Sequence, residues 1–137
     1  MQYMIRQGSK GDTPFIINSW VLALRSSGLY RGCPNSLLNP RLSKIIEGLI
    51  TAPGTTILVS HDVNDVDSIH GYLVHEGNTI LFSYVKFASR RKGVFRALLE
   101  KAKLENISYV FQTYPAFKLG EKLKWVYRPY GIVYVPF

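Results

Sequence analysis

The feature that most constrains this chain is a change of hydrophobic period at Pro53-Gly54. Before it, apolar residues recur at helical spacing: Ile16, Ile17, Trp20, Val21 and Leu24 form one stripe, and Leu42, Ile45, Ile46, Leu49 and Ile50 a second. After it, Thr55–Ser60, Ile69–His75 and Thr79–Phe87 are β-branched and apolar runs of strand type, and Glu76-Gly77-Asn78 between the last two reads as a hairpin turn. Strands paired by a hairpin and then followed by a helix imply a mixed sheet with helices packed on it.

Punctuation residues set the expected boundaries. Met4-Ile5-Arg6 reads as a short first strand, and Gly8 to Gly11 as a turn. Asp12-Thr13-Pro14 and Asn39-Pro40 each place a capping side chain before a proline, so the first two helices are expected to begin there. Ser26-Ser27-Gly28 ends the first, Leu29 to Leu38 is a loop, and Pro53-Gly54 ends the second. His61 to Ser68 is expected as an acidic turn. Gly93 to Leu104 reads as a third helix, with Val94, Leu98, Leu99 and Ala102 on one side. Ser108–Gln112 is a strand, Pro115–Leu123 a short helix, and Trp125–Arg128 and Ile132–Val135 are strands around a Pro129-Tyr130-Gly131 turn. The order is β-α-α-β-β-β-α-β-α-β-β, an α/β (α+β) architecture. It fits one domain over residues 1–137, with neither repeat nor linker.

Charge divides the chain. Residues 1–83 carry six Lys/Arg and six Asp/Glu, so they are neutral; residues 84–137 carry eleven and three, which accounts for the whole net charge of +8. A field of that kind draws polyanions: a phosphorylated cofactor, nucleic acid or an acidic protein. No apolar run approaches the ~20 residues of a membrane span, and the N-terminus lacks the pattern of a signal peptide. One cysteine, Cys33, excludes an internal disulfide, and a reducing, cytoplasmic setting is expected.

The basic half opens on Tyr84-Val85-Lys86-Phe87-Ala88-Ser89-Arg90-Arg91-Lys92-Gly93-Val94-Phe95-Arg96. A strand runs into a short basic loop, and the loop opens a helix. First-turn amides of a helix have no internal partner, and the helix dipole adds positive charge there. Such a terminus seats phosphate. Gly93 permits close backbone approach, and Arg90, Arg91, Lys92 and Arg96 supply charge-assisted hydrogen bonds. A basic run before a helix is also commonly a solvated face; its place between a hairpin and an amphipathic helix favours the phosphate seat.

This segment resembles motif A of the GCN5-related N-acetyltransferase (GNAT) family, whose loop reads Arg/Gln-x-x-Gly-x-Gly/Ala. Here it runs Arg90-Arg91-Lys92-Gly93-Val94-Phe95, with Phe95 in place of the final small residue. Val85 matches the strand valine, and Leu98-Leu99 the apolar pair of the following helix. The opening, Ile5-Arg6 through Asp12-Thr13-Pro14-Phe15-Ile16 to Ser19-Trp20, is similar to small GNAT-like proteins of bacteriophages, which implies a host cytoplasm. The resemblance implies a central twisted sheet and acetyl-CoA as cofactor. It places Arg90, Arg91, Lys92, Gly93, Val94, Phe95 and Arg96 at the diphosphate, and the backbone of Tyr84, Val85 and Lys86 along the pantetheine arm between two splayed parallel strands. It further implies an amine acceptor (protein, small molecule or modified nucleobase) that attacks the thioester directly. A tyrosine often serves as acid in such enzymes. Tyr114 is the first choice, since it follows the strand ending at Gln112, with Tyr127 and Tyr130 as rivals; Glu76, His75 and Asp62 are candidates for the base. A catalytically inactive GNAT-like module acting on a protein partner, and a basic nucleic-acid-binding domain, are the alternatives.

Other patterns carry less. Asp62-Val63-Asn64-Asp65-Val66-Asp67 fails the calcium-loop pattern, because Val66 stands at a ligand position and no Gly follows. His61, His70 and His75 do not share a helical face, Cys33 has no nearby second thiol, and no metal site is expected. The C-terminal aromatics interleaved with lysines could stack single-stranded nucleic acid, but an aromatic core explains them as well.

Overall fold

A computed structural model describes residues 2–26, 30–110 and 122–127. Within them the elements are β1 (Tyr3–Gln7), α1 (Thr13–Ser26), α2 (Asn35–Thr51), β2 (Thr55–Asp62), β3 (Asp65–Glu76), β4 (Thr79–Val85), α3 (Val94–Ala102), β5 (Ser108–Tyr109) and β6 (Val126–Tyr127). Short 3-10 turns occupy Lys10–Asp12 and Phe87–Ser89. The strands form one open mixed sheet in the order β1-β2-β3-β4-β5-β6. The first four pair antiparallel, and β5 runs parallel to β4.

Alternation along the strands splits the core into two layers. Val59, Tyr72, Val74, Leu81 and Phe82 face α1 and α2, where they meet Ile16, Trp20, Leu24, Leu42 and Ile46. Trp20 stacks on Phe82 with centroids 4.9 Å apart. Leu58, Leu73 and Ile80 face the other way, onto Val94 and Leu98 of α3. Sheet against helix on both faces is the expected architecture. The predicted helical stripes of α1 and α2 are the residues that meet the sheet.

The structure departs from the sequence reading at several points: β4 ends at Val85 and not Phe87, α3 ends at Ala102 and not Leu104, and three further differences are larger. Asp12 does not cap α1 by itself: it ends the 3-10 turn, and Ser9 and Asp12 form a reciprocal capping box there. The Asp12 carboxylate also takes two hydrogen bonds from Arg6, at 2.7 and 2.8 Å. The second helix starts at Asn35, behind Pro34, and carries Pro40 inside it. Burial of Leu38 on the same face as Leu42, Ile46 and Leu49 accounts for that early start. The acidic segment is mostly strand. β2 and β3 run on to Asp62 and from Asp65, and only Val63-Asn64 turns, with Asp62 Oδ1 accepting from the Asn64 amide at 2.8 Å. Of the helix expected over Pro115–Leu123, Lys122 and Leu123 are described and helical. The strand expected over Ile132–Val135 lies outside the described residues. No helix among the described residues is long and apolar enough to cross a membrane.

Candidate functional site

The site is built around the second half of β4 and the loop that follows it. Ser108 N–H donates to Asn78 O at 3.1 Å, and Val110 N–H to Ile80 O at 3.3 Å. Beyond Ile80, among the described residues, nothing pairs with β4 on that edge through to Val85.

A bulge decides which backbone groups face the β5 side of β4 beyond Ile80. Val74 pairs with Phe82 and His75 with Ile80, so Leu81 is extra. Leu81 and Phe82 accordingly turn into the same core layer. The bulge reverses the alternation. Lys86 N–H donates to His70 O at 2.8 Å, towards β3. Tyr84, two residues earlier and opposite Tyr72, faces β3 as well. The backbone groups of Ser83 and Val85 therefore face the β5 side. Of the three residues expected along a cofactor arm, only Val85 presents its backbone there, and its carbonyl accepts from Arg90 Nε at 2.9 Å. Ser83 was not anticipated. Only the bulge reveals it, and a run of apolar residues does not announce a bulge.

After β4 the chain makes the turn Phe87–Ser89 and enters the loop before α3. Arg91 and Gly93 both adopt left-handed backbone, with φ of 62° and 82°. Gly93 is the N-cap, and no side chain caps the helix. Ala97 N–H donates to Gly93 O at 3.0 Å, the first intrahelical bond. The amides of Val94, Phe95 and Arg96 therefore have no acceptor among the described residues. Tyr3 of β1 donates its hydroxyl to Gly93 O at 3.2 Å and ties the loop to the sheet. Val94 and Leu98 are buried beneath the helix. Arg90, Arg91, Lys92, Gly93 and Arg96 are exposed. Phe95 is half-buried, its ring 6.2 Å from that of Trp125.

The remaining candidates are dispersed. Glu76 closes the β3–β4 hairpin opposite Thr79, roughly 20 Å along β4 from Val85 by strand rise. His75 beside it is buried, with Nδ1 3.0 Å from Gly77 O. Asp62 lies at the β2–β3 turn. Tyr127 is exposed on β6. Tyr114 and Tyr130 lie outside the described residues. On the α1 side, Tyr72 is fully buried and its hydroxyl lies 2.6 Å from Ser19 Oγ. Burial pushes that phenol far above its ordinary range, so it stays protonated and serves packing.

With a six-stranded mixed sheet packed against three helices, and a basic loop and bare helix amides after β4, the chain has the GNAT fold. The sequence matches no protein-family model and no curated protein. Among solved structures it is similar to a candidate acetyl transferase from Pyrococcus furiosus, with a TM-score of 0.71 at 18% identity over 99% of this chain and 100% of that one. A candidate acetyltransferase from Clostridium acetobutylicum, solved with acetyl-CoA, gives 0.60 at 12% identity over 98% and 96%. A GNAT-family acetyltransferase from Staphylococcus aureus gives 0.58 at 12% identity over 90% and 83%. At these identities the likeness is one of fold.

Proposed function

We propose that residues 1–137 form an acyl-CoA N-acyltransferase domain, which transfers an acetyl group from acetyl-CoA to an amine. The observation that carries this reading is the set of unpartnered amides at Val94, Phe95 and Arg96, behind left-handed Gly93 and among Arg90, Arg91, Lys92 and Arg96. A helix N-terminus of this kind neutralises a diphosphate by dipole, amide and guanidinium together. Phe95 takes part through its backbone, while its ring packs towards Trp125. The pantetheine arm lies along the β5-side edge of β4 and pairs with Ser83 and Val85. An amide on that edge polarises the thioester carbonyl, and it stabilises the oxyanion that forms when the neutral amine attacks. The C–S bond then breaks. The thiolate takes a proton from an acid, for which Tyr114 is our candidate, and the amine gives its proton to solvent. Glu76 has no part in this scheme, since it sits at the far end of β4.

Two measurements test the reading. Acetyl-CoA at one hundred times its dissociation constant should stabilise the protein by about 2.7 kcal/mol, seen as a higher Tm. Free thiol should appear when acetyl-CoA is offered with a panel of primary amines, and Tyr114→Phe should slow its release by on the order of 100-fold. An unchanged Tm with acetyl-CoA would overturn the cofactor assignment. Binding without thiol release across the panel would leave a cofactor-binding module that lacks the transfer step.

A further inference from the structure

The loop that carries the cations also carries an aromatic ring with no structural duty. Phe87 is 84% exposed, the most exposed large hydrophobic residue described. It opens the turn Phe87–Ser89, directly after the last residues of β4 and ahead of Arg90, Arg91 and Lys92. Neither core layer includes it. An isolated exposed apolar residue needs no explanation, but this one differs in its setting. Arg90 is held by the bond from its Nε to Val85 O, and its guanidinium carbon lies 5.7 Å from the Phe87 ring centroid. The cation occupies one side of the ring, and the ring is otherwise open to solvent.

We infer that Phe87 is the stacking platform for the purine base of the bound nucleotide. This rests on the cofactor reading above and adds to it the group that recognises the base. The chemistry is specific to a ligand that joins a planar aromatic base to a diphosphate. The phosphates take the amides and cations of the α3 terminus, and the base lies on the free face of Phe87, with Arg90 behind the ring as a cation–π partner. A polyphosphate without a base satisfies only the first half of this surface. Because Phe87 makes no core contact, replacing it leaves the fold intact.

The test uses the full chain, coenzyme A as probe, and the variant Phe87→Leu, which keeps apolar bulk and removes the π face. In the wild type, ring current should move the adenine H2 and H8 proton signals upfield on binding, while the geminal methyl signals of the pantetheine report the arm. In Phe87→Leu the methyl signals should still shift, the adenine shifts should vanish, and the dissociation constant should rise on the order of tenfold. Adenine shifts and affinity equal to wild type in Phe87→Leu would overturn the stacking role and leave the cofactor reading standing. No shift of any coenzyme signal in the wild type would overturn the cofactor reading itself, and the stacking role with it.

Discussion

At the scale of single residues, Gly93 and Asp12 show how one position can carry a local structure. Gly93 has φ of 82°, and a Cβ there would meet only Tyr3 Oη, at 3.6 Å. Space is therefore available, and the cost of a side chain is conformational. Gly93→Ala should lower stability by about 1–2 kcal/mol, measured by urea denaturation, and keep cofactor binding. Gly93→Asp bears the same backbone cost and adds a negative charge at the phosphate seat. Its affinity for coenzyme A should fall at least tenfold relative to Gly93→Ala, measured by calorimetry; equal affinities would remove the diphosphate from this turn. Asp12 joins β1 to α1. Its hydrogen bonds from Arg6, aided by Ser9, hold the carboxyl below its usual range against the opposing effect of burial. A depressed carboxylate stabilises the fold above its unfolded pKa, and that contribution disappears as pH falls through the folded value. Asp12→Asn should cost about 2 kcal/mol at pH 7. The gap between variant and wild type should narrow below pH 4, measured by denaturation at each pH. The Asp12 position was readable as a helix-start signal, but its partner Arg6 was not: the two are only six residues apart, yet no periodic rule states that a strand cation folds back over a carboxylate in the turn that follows.

At the scale of elements, α2 and β4 are where local rules and tertiary packing disagree. Asn39-Pro40 is a good start signal by local chemistry, yet the helix begins at Asn35. Pro40 then lacks the N–H that would bond to Ser36 O, and its ring crowds that carbonyl. Burial of Leu38 against the sheet outweighs this local cost. Pro40 is itself exposed, so Pro40→Ala should stabilise the protein by about 2 kcal/mol, the helix penalty less the entropy that proline removes from the unfolded chain. A rise in Tm would register it; a fall would show that Pro40 shapes the helix entry. In β4 the bulge at Leu81 has the opposite character. It disturbs pairing locally, and in return it turns the hydrogen-bonding groups of Ser83 and Val85 towards the β5 side. A β-branched and apolar run located the strand, but the extra residue was hidden because Leu81 and Phe82 suit the core equally well.

At the scale of the whole molecule, charge and topology converge on one place. The excess of cations begins at Lys86, where β4 ends, and four of them surround the α3 terminus. If they act on a polyanionic cofactor, its affinity should fall as salt rises from 50 to 500 mM, since screening lengths shrink to a few Å over that range. Arg91→Ala should weaken binding several-fold and flatten that salt dependence; a slope equal to wild type would place Arg91 outside the phosphate contacts. The sequence by itself determined the succession of elements as far as β5, the helical apolar stripes and the basic strand-loop-helix, because each depends on residues near one another in the chain. Period, turn chemistry and charge runs are local quantities. Only the tertiary structure decided that a bulge at Leu81 reverses the alternation of β4, which backbone groups then face its β5 side, and that Phe87 stands clear of both core layers. Those outcomes depend on how distant segments share the sheet and bury their side chains. They follow from the total packing of the molecule, which no stretch of ten or fifteen residues contains.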